Sequence, residues 1–481
     1  EICLFVNGKE NLSGNAVKVV REYFSMHPEC VFVYGDEDEW NSNHTVRMNP
    51  WFKPDFSPDT LLSYFYYGNV FAVRAERLKD IIWKASDDYL LNLYDMCMQL
   101  SFPVKKDAVG HIQYVLYHAE HLKALCTDEQ YDEVKKKYSL SLQEQTGNKN
   151  DLLWEDNVDK SSVFSDGEGD KISVVIPTKD HPEILRVCLQ SLINTGENEE
   201  IEIIVVDNGS SPDAKEKYEE LKNKFKFNYI FKPMDFNFSR MCNLGAEAAT
   251  GQFLLFLNDD IEAKDEGWMS KMRFHAAKSH VGAVGAKLYY PNSKTIQHAG
   301  ITNLRLGPVH KMQFLEDTRS YYDGRNRFDR NVVAVTAACL MVRKTVFAEC
   351  GGFSEELAVA FNDVEFCFRL YEAGYYNVQC NEAVLYHHES LSRGNDESVE
   401  KQIRLQEERR KMYAMHPNLY GMDPFYHPYM NTNILDTNFS FAYEYPAGEE
   451  LDFCEPTLIK GGLKQEWYND CLLISMEYAD D

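Results

Sequence analysis

Residues 251–262 read GQFLLFLNDDIE. Five apolar residues, 253–257, lead directly into Asn258, Asp259 and Asp260. A short apolar run that ends in a polar turn is typical of a strand buried on both faces. Carboxylates at the carboxyl end of such a strand lie where open α/β sheets bind ligands, and oxygen ligands suit Mg²⁺ or Mn²⁺. A plain polar turn is the alternative, because Asn and Asp are common turn residues.

The segments around this stretch alternate between strand and helix patterns. Apolar or β-branched runs predict strands at residues 172–176, 201–206, 228–231, 281–288, 332–342 and 384–386. Periodicity predicts helices at residues 182–192, 215–225, 238–249 and 362–373, the last capped by Asn362 with Glu365 three residues on. This alternation predicts an α/β fold with a doubly wound, mostly parallel sheet. The strand ends at Thr178, Asp207 and Asp260 would then lie along one edge.

Length and charge limit what the chain can be. With 481 residues it is long enough for two to four domains. The net charge of −26 argues against nucleic acid and anionic membrane surfaces as partners. No apolar stretch is long enough to cross a bilayer, and the opening residues lack a signal-peptide pattern. Twelve scattered cysteines without a CxxC pair favour reduced thiols, which predicts a cytoplasmic protein, at most peripheral at the inner membrane face.

Two short strings near the amino terminus recur in the same order further along the chain. Residues 4–9 (LFVNGK) resemble residues 255–260 (LFLNDD), and residues 115–118 and 384–387 both read VLYH. We interpret the N-terminal part as the second half of a domain that is repeated, in full, later in the chain. Chance similarity of short apolar strings is the alternative.

The predicted organisation has four parts. They are a partial copy of the repeated domain (1–126), a helical and acidic linker (127–170), a complete and catalytic domain (171–395), and a C-terminal helix with an irregular tail (396–481). Lys9 falls where Asp260 does in the repeat, and a lysine side chain repels a divalent cation. We therefore expect the N-terminal part to be non-catalytic and to serve acceptor binding or scaffolding.

Seven motifs in a fixed order carry a family resemblance. They read KISVVIPTKD, EIIVVDNGS, FNFSRMCNLGAEAATGQFLLFLNDDIE, GAVGAKLYYPNSKTIQHAG, AVTAACLMVRK, FNDVEFCFRLYEAGY and VLYHHES. The set resembles glycosyltransferase family 2, in particular two-domain bacterial enzymes of cell-surface polysaccharide assembly of the rhamnosyltransferase type. The resemblance is strong over residues 171–395 and weaker over residues 1–125. It implies a GT-A fold, a nucleotide-sugar donor, a divalent cation and inversion at the anomeric carbon.

The resemblance also implies metal ligands. Asp260, with help from Asp259, is the implied carboxylate ligand of Mn²⁺ or Mg²⁺, and His387 is the implied imidazole ligand. The family often has a carboxylate where this chain has Asn258, so the metal would depend more on Asp260 and His387. His388 remains open as an alternative, and a purely structural role is open for the histidine pair.

A general base and the donor contacts complete the implied site. Asp363 matches the family's base, which would take the proton of the acceptor hydroxyl; helix capping is the alternative role. The implied nucleotide-binding residues are Pro177, Thr178, Asp207, Asn208, Gly209, Arg240 and Asn258. Positions near the transferred sugar are Lys287, Gln297 and His298, and His388 and Trp268 are further candidates for contact with it. A tryptophan in the core is the alternative for Trp268, and an arginine on a solvated helix face is the alternative for Arg240.

The sequence therefore predicts an inverting glycosyltransferase. It would move a sugar from a UDP- or dTDP-linked donor to a hydroxyl of a glycan or lipid-linked glycan acceptor. We expect it neither to bind nucleic acid nor to enter the membrane interior. A non-catalytic glycan-binding scaffold is the alternative from another class. A nucleotidyltransferase is disfavoured, because the residues after Ile176 are Pro-Thr-Lys-Asp-His and not a Gly-rich phosphate loop.

Overall fold

The computed structural model describes residues 1–7, 11–81, 89–101, 106–119, 171–195, 200–388, 399–433 and 439, with strand residues 445–446, 463–468 and 471–476. The chain divides into two compact units. Unit 1 comprises Glu1–Val158, Pro424–Asn431 and Asn438–Asp481, and unit 2 comprises Asp159–Asp423 and Thr432–Thr437. The predicted linker at 127–170 lies outside the described residues. No described helix is both long enough and apolar enough to cross a membrane.

The N-terminal part of unit 1 is a sheet with helices against it. Its elements are strands β1 (Ile2–Asn7), β2 (Asn11–Leu12), β3 (Phe32–Trp40), β4 (Val46–Trp51), β5 (Val70–Arg74) and β6 (Val109–Ala119), and helices α1 (Ala16–Met26), α2 (Pro58–Ser63) and α3 (Tyr89–Ser101). Apolar residues of β1 and β5 pack with those of α1, including Leu4, Val70 and Val20, in a buried core. Their burial is the main favourable contribution to folding here.

Unit 2 alternates strands and helices. Its strands are β7 (Ile172–Thr178), β8 (Ile201–Asp207), β9 (Asn228–Phe231), β10 (Phe253–Leu257), β11 (Ile261–Ala263), β12 (Val281–Tyr289), β13 (Ile296–His298), β14 (Thr302–Leu304), β15 (Gly307–Val309), β16 (Arg330–Val332), β17 (Cys339–Arg343) and β18 (Tyr376–His387). Its helices are α4 (Pro182–Thr195), α5 (Pro212–Phe225), α6 (Phe238–Ala248), α7 (Trp268–Ala276), α8 (Lys344–Glu349), α9 (Asn362–Glu372) and α10 (Val399–Met415).

The sheet of unit 2 has the strand order β11-β18-β12-β17-β10-β7-β8-β9. Strands β10, β7, β8 and β9 are parallel neighbours. Strand β17 is antiparallel to both β10 and β12, while β12 and β18 are parallel. Because β7, β8 and β10 run in the same direction, the residues that follow them lie at one edge of the sheet.

Local sequence explains how the helices of this unit begin and pack. The Ser211 side chain accepts a hydrogen bond from the amide of Ala214 and caps α5, and the Asn237 side chain accepts from the amide of Arg240 and caps α6. Gly245 of α6 lies so close to β7 that a Cβ atom there would come within 2.2 Å of Val175. This close approach seats α6 on the strand that leads to Thr178.

The two units share a strand order. In unit 1, β2-β6-β3-β5-β1 have the same neighbours and the same parallel or antiparallel pairings as β11-β18-β12-β17-β10 in unit 2. The VLYH strings take equivalent positions, because His118 pairs with β2 as His387 pairs with β11. This agreement supports the interpretation of an internal repeat. The non-catalytic role stays a prediction, because Lys9 lies outside the described residues.

The C-terminal region adds strands to unit 1, which corrects the expectation of an irregular tail. Strand β19 (Tyr445–Pro446) pairs with β4, and β20 (Leu463–Tyr468) and β21 (Cys471–Met476) form an antiparallel pair. Strand β21 then pairs antiparallel with β1. In unit 2 the equivalent neighbour of β10 is the parallel strand β7. The expectation of an irregular tail was based on the acidic composition of this region and not on the short apolar run within it.

Two further expectations need correction. The strand predicted at 332–342 is split into β16 and β17, and the intervening residues 333–338 run past the cavity described below. Asn362 does not cap α9: the capping residue is Phe361, which has a left-handed backbone with φ 57° and no side-chain cap. Glu365 instead binds Arg369, with Oε1 2.6 Å from Nε. Helix periodicity was therefore a better guide than the capping pattern.

Candidate functional site

Two adjoining cavities open at the carboxyl edge of the unit 2 sheet. The smaller cavity, about 250 Å³, is lined by residues that include Pro177, Thr178, Lys179, His181, Phe236, Phe238, Met241, Asn258 and Asp259. The larger cavity, about 390 Å³, is lined by residues that include Phe238, Asn258, Gln297, His298, His310, Ala337, Phe361, Asp363, His387, Lys401 and Arg404. Phe238 and Asn258 line both, so the two cavities form one continuous site.

A carboxylate and an imidazole face each other beside the larger cavity. Asp260 Oδ1 lies 3.1 Å from His387 Nε2. His387 Nδ1 donates a hydrogen bond to Gln297 Oε1 at 2.7 Å, because a carboxamide oxygen can only accept. In the neutral ring, Nε2 then presents its lone pair toward the carboxylate. Such a pair of facing acceptors is suited to holding a cation.

The neighbouring residues of the Asn258–Asp259–Asp260 turn point in different directions. Asp259 Oδ2 accepts a hydrogen bond from Thr178 Oγ1 at 2.6 Å and lines the smaller cavity. Asn258 Nδ2 lies 3.4 Å from His387 Nε2. The turn therefore brings Asp260, and not Asp259, to the imidazole. Asp259 connects the ends of two parallel strands instead.

Asp363 lies in the first turn of α9 and lines the larger cavity. Its Oδ2 accepts from the amide of Ala337 at 3.0 Å, and its Oδ1 accepts from the amide of Val364 at 2.8 Å. These two amide donors hold the carboxylate in place at the start of the helix. A half-buried carboxylate at a cavity wall can accept a proton from a bound hydroxyl group.

The residues predicted to contact the nucleotide separate into two groups. Pro177 and Thr178 line the smaller cavity. Asp207 is fully buried and lines neither cavity, and its carboxylate accepts from Ser210 Oγ at 2.7 Å and from Tyr229 Oη at 2.5 Å. Its carboxylate therefore joins the turn after β8 to β9, and its contact with a base stays a prediction. The turn itself uses Gly209, where φ is +79°.

Neither Asn208 nor Arg240 lines either of the two cavities. Asn208 is 1% exposed in the turn after β8. Arg240 has a half-exposed side chain whose Nε is 4.0 Å from Glu355 Oε2, consistent with the solvated helix face left open above. An exposed pair at this distance contributes little to stability.

Among the predicted sugar contacts, Gln297 and His298 reach the larger cavity, whereas three others do not. Trp268 is 1% exposed in the core, and its Nε1 donates to Thr195 Oγ1 at 3.1 Å. Sugar stacking on Trp268 is therefore wrong. Lys287 is buried and its Nζ donates to Asp317 Oδ2 at 2.8 Å, and His388 Nε2 pairs with Glu262 Oε2 at 2.9 Å.

The comparisons with known proteins fit this arrangement. Residues 173–351 match the model of Glycosyl transferase family 2. Residues 173–351 therefore form a family 2 glycosyltransferase domain. Its α/β fold is the GT-A type that the sequence predicted, with one refinement, because β17 interrupts the parallel strands. Asp363 and His387 lie beyond the matched residues.

Bacterial relatives extend the similarity along most of the chain. It is 31% identical over 429 residues to the uncharacterized protein y4gI of Sinorhizobium fredii, which covers 87% of this chain and 47% of that protein. It is 30% identical over 445 residues to the O-antigen biosynthesis protein RfbC of Myxococcus xanthus, which covers 90% of this chain and 34% of that protein. The chain thus spans less than half the length of these two relatives.

Similarity to a solved structure covers about half the chain. The mannosyltransferase PcManGT from Pyrobaculum calidifontis, in complex with GDP-Man and Mn²⁺, matches with a TM-score of 0.38 and 14% identity. The match covers 51% of this chain and 64% of that one.

Unit 2 also contains site residues that the sequence did not reveal. His310 contributes Nδ1 3.0 Å from His298 Nδ1, and both rings line the larger cavity. Burial and the neighbouring His310 hold the pKa of His298 well below its usual range, so this ring is neutral. Lys401 and Arg404 reach the cavity from α10. No local motif marks these residues, because their role depends on how α10 packs.

Two groups of buried side chains elsewhere offer metal-ligand atoms within 4.8 Å of one another. They are Asp36 with His111 and His427 in unit 1, and His275 with Asp329 and Cys380 in unit 2. In the second group, Lys278 Nζ donates to His275 Nδ1 at 3.1 Å, so Nε2 carries the proton that faces Asp329. A protonated nitrogen cannot ligate a metal.

In the first group, too, protonated histidine nitrogens face the carboxylates. The amide of Tyr429 donates to His427 Nδ1 at 3.1 Å, so His427 Nε2 is protonated where it faces Asp36 Oδ2 at 2.9 Å. His111 lies between two carboxylates, with Nε2 3.1 Å from Asp36 Oδ1 and Nδ1 2.9 Å from Asp55 Oδ1. Both His111 nitrogens therefore donate. The group is a proton network that joins residues distant in sequence within unit 1.

This network predicts a pH-dependent stability. Burial alone would lower the pKa of His111, but Asp36 and Asp55 raise it to about 9, so its contribution is complete below pH 6.5 and is lost as the pH rises through about 9. Burial alone would raise the pKa of Asp36, but the two histidines lower it to about 2, so its contribution is complete above pH 3.8 and is lost as the pH falls through about 2.

We therefore expect amide protection in β3 and β6, corrected for intrinsic exchange, to be highest between pH 3.8 and 6.5 and to decrease toward pH 9. Hydrogen exchange with mass spectrometry measures it. Asp36→Asn should reduce protection at pH 6 and flatten the alkaline decrease, because it leaves a buried charge uncompensated. An unchanged profile in this variant would show that the network does not stabilise these strands.

Proposed function

We propose that the chain is an inverting, metal-dependent glycosyltransferase that moves a sugar from a nucleoside-diphosphate sugar to a hydroxyl group of a glycan. The observation that carries the proposal is the larger cavity, whose wall combines Asp363 with the Asp260–His387 pair beside it. The relative named for O-antigen biosynthesis supports a role in bacterial cell-surface polysaccharide synthesis.

The separation of Asp260 and His387 fits a divalent cation. Two adjacent ligands, each about 2.1 Å from an octahedral cation, lie about 3.0 Å apart. The observed distance between Asp260 Oδ1 and His387 Nε2 is 3.1 Å. Asp260 and His387 would hold Mn²⁺ or Mg²⁺, and an imidazole ligand favours Mn²⁺. The cation would supply charge neutralisation for the departing diphosphate.

The proposed reaction is a single displacement. Asp363 takes the proton of the acceptor hydroxyl, and the acceptor oxygen forms a bond to the anomeric carbon. The bond from that carbon to the diphosphate oxygen breaks at the same time, and the nucleoside diphosphate leaves with the electron pair. One displacement inverts the anomeric centre, and one base is enough for it. Gln297 orients His387 by accepting from its Nδ1.

The smaller cavity suits the nucleoside end of the donor. It adjoins the reaction site through Phe238 and Asn258, and the half-exposed Phe236 ring at its wall can stack on a base. We propose UDP- or dTDP-linked sugars as donors on the family resemblance. Asp207, the one residue that suggested a pyrimidine, is buried outside both cavities, so GDP belongs in the same test.

We expect Phe236→Ala to weaken binding of the preferred nucleoside diphosphate by roughly tenfold, because it removes one base-stacking face. Titration calorimetry with UDP, dTDP and GDP, each with Mn²⁺, Mg²⁺ or EDTA, measures the affinity. Phe274→Ala is the matched control, since Phe274 is also about half exposed but lines neither cavity. Equal effects of both variants, or no binding of any nucleotide, would contradict the assignment of the smaller cavity.

A further inference from the structure

Helix α10 presents a cationic edge to the larger cavity. Lys401, Arg404 and Leu405 all line it, at the i, i+3 and i+4 spacing that places side chains on one helix face. The helix is fixed in this position, because Glu408 Oε2 accepts from the amide of Ala360 at 2.6 Å and His416 Nδ1 donates to Glu372 Oε2 at 2.7 Å. The cationic edge is therefore built into the cavity wall.

The charge of the cavity wall differs from that of the whole chain. Of the described residues that line the larger cavity, Lys401 and Arg404 carry permanent positive charge, and Asp363 carries a carboxylate. The Asp260 carboxylate lies beside the wall, where it faces His387 and would hold the cation. Buried His298 is neutral. The chain as a whole has a net charge of −26, so two cationic side chains on one helix face at this wall are a local exception. A wall of this kind favours a ligand that carries a negative charge.

The position of the cations relates them to the acceptor. Asp363 and α10 both contribute to the larger cavity, and neither contributes to the smaller cavity at Pro177 and Thr178. The acceptor hydroxyl must lie beside Asp363 if that residue takes its proton. A group held by Arg404 would then belong to the molecule that carries this hydroxyl.

We propose that Lys401 and Arg404 recognise an anionic group, a carboxylate or a phosphate, on the acceptor. Arg404 offers a planar fork of donors that matches two oxygens of either group, and Lys401 adds a point charge. These residues would select acidic acceptors over neutral ones. The inference rests on the proposed function, because it takes the hydroxyl beside Asp363 as the acceptor's.

The other source of such an anion is the donor diphosphate. The two sources differ in a measurable way, because an acceptor site discriminates acidic from neutral sugars whether or not nucleotide is bound. If the cations bind the donor instead, removing one of them should lower the affinity for a nucleoside diphosphate. Binding measurements separate the two sources without any turnover.

The test measures binding of p-nitrophenyl β-D-glucuronide, p-nitrophenyl β-D-glucoside, glucose 6-phosphate and glucose to the full chain by titration calorimetry. We expect at least one of the acidic sugars to bind about tenfold more tightly than its neutral partner. Arg404→Gln should remove most of this preference, and Arg404→Lys should restore part of it. Arg410→Gln, an exposed cation on the same helix, is the matched control and should keep the preference.

Affinity for UDP, dTDP and GDP in the same variants identifies the source of the anion. A change of less than about twofold in Arg404→Gln is expected for an acceptor site. A tenfold loss of nucleotide affinity in this variant would assign the cations to the donor and overturn the proposal. Equal binding of acidic and neutral sugars, or no binding of either acidic sugar, would overturn it as well. Failure of catalysis alone, with the acid preference intact, would count against the proposed function only.

Discussion

Asp363→Asn is expected to reduce sugar transfer by roughly 10²–10⁴-fold while nucleotide affinity stays within about twofold. The carboxylate lies on the wall of the larger cavity and accepts hydrogen bonds from the amides of Ala337 and Val364. An asparagine can replace part of this hydrogen bonding but cannot take a proton. The loss should therefore appear in the rate of transfer and not in donor binding.

The control must separate proton transfer from the structural role of a helix N-terminus. Asp213 also lies in the first turn of a helix, α5, but it is exposed and lines neither cavity. Asp213→Asn should leave the rate unchanged. Thermal unfolding of both variants should show whether Asp363→Asn folds like the native chain. A folded Asp363→Asn variant that transfers sugar at the native rate would refute the base assignment.

His387→Ala is expected to lower metal-dependent turnover on the order of a thousandfold, because a metal ligand is worth several kcal/mol of transition-state stabilisation. Its Nε2 faces Asp260 Oδ1 at 3.1 Å, and Gln297 holds its other nitrogen. Manganese affinity, measured by electron paramagnetic resonance of free Mn²⁺, should decrease in parallel. Gln297→Leu should reduce turnover less, by roughly 10–100-fold, since it removes only the hydrogen bond that orients the His387 ring.

The adjacent histidine is the matched control for this prediction. His388 pairs with Glu262 Oε2 at 2.9 Å and lines neither cavity. His388→Ala should therefore keep both Mn²⁺ affinity and turnover close to native values. If His388→Ala lost activity and His387→Ala kept it, the metal ligand would be His388 and not His387.

The parts of this site that the sequence predicted are those attached to strand ends. Strands β7 and β10 have strong apolar patterns, so the positions of Thr178 and Asp260 followed from parallel pairing. His387 came from the motif order and not from its own surroundings. Its pairing with Asp260 depends on β11 lying antiparallel to β18, which a sequence pattern of three residues does not predict.

The parts that the sequence did not predict depend on packing between distant segments. Asp207 follows a strand, like Asp260, but Ser210 and Tyr229 occupy its oxygens. Trp268 resembled a sugar-stacking residue, yet its indole fills the core against Thr195. Lys401 and Arg404 of α10 line a cavity together with Asn258 and Gln297, which lie about a hundred residues or more earlier in the chain. Likewise, residues 471–476 pair with β1 at the other end of the chain.

The central claim is that the Asp260–His387 pair and Asp363 form one metal-dependent transfer site. The measurement that tests it most directly is nucleotide release from UDP-, dTDP- and GDP-sugars with Mn²⁺, Mg²⁺ or EDTA, for the native chain and for Asp260→Ala. We predict turnover of one donor class with a divalent cation, its loss in EDTA, and its loss in the variant. Equal turnover by Asp260→Ala and the native chain, or nucleotide binding without turnover under any condition, would contradict it and favour a glycan-binding scaffold.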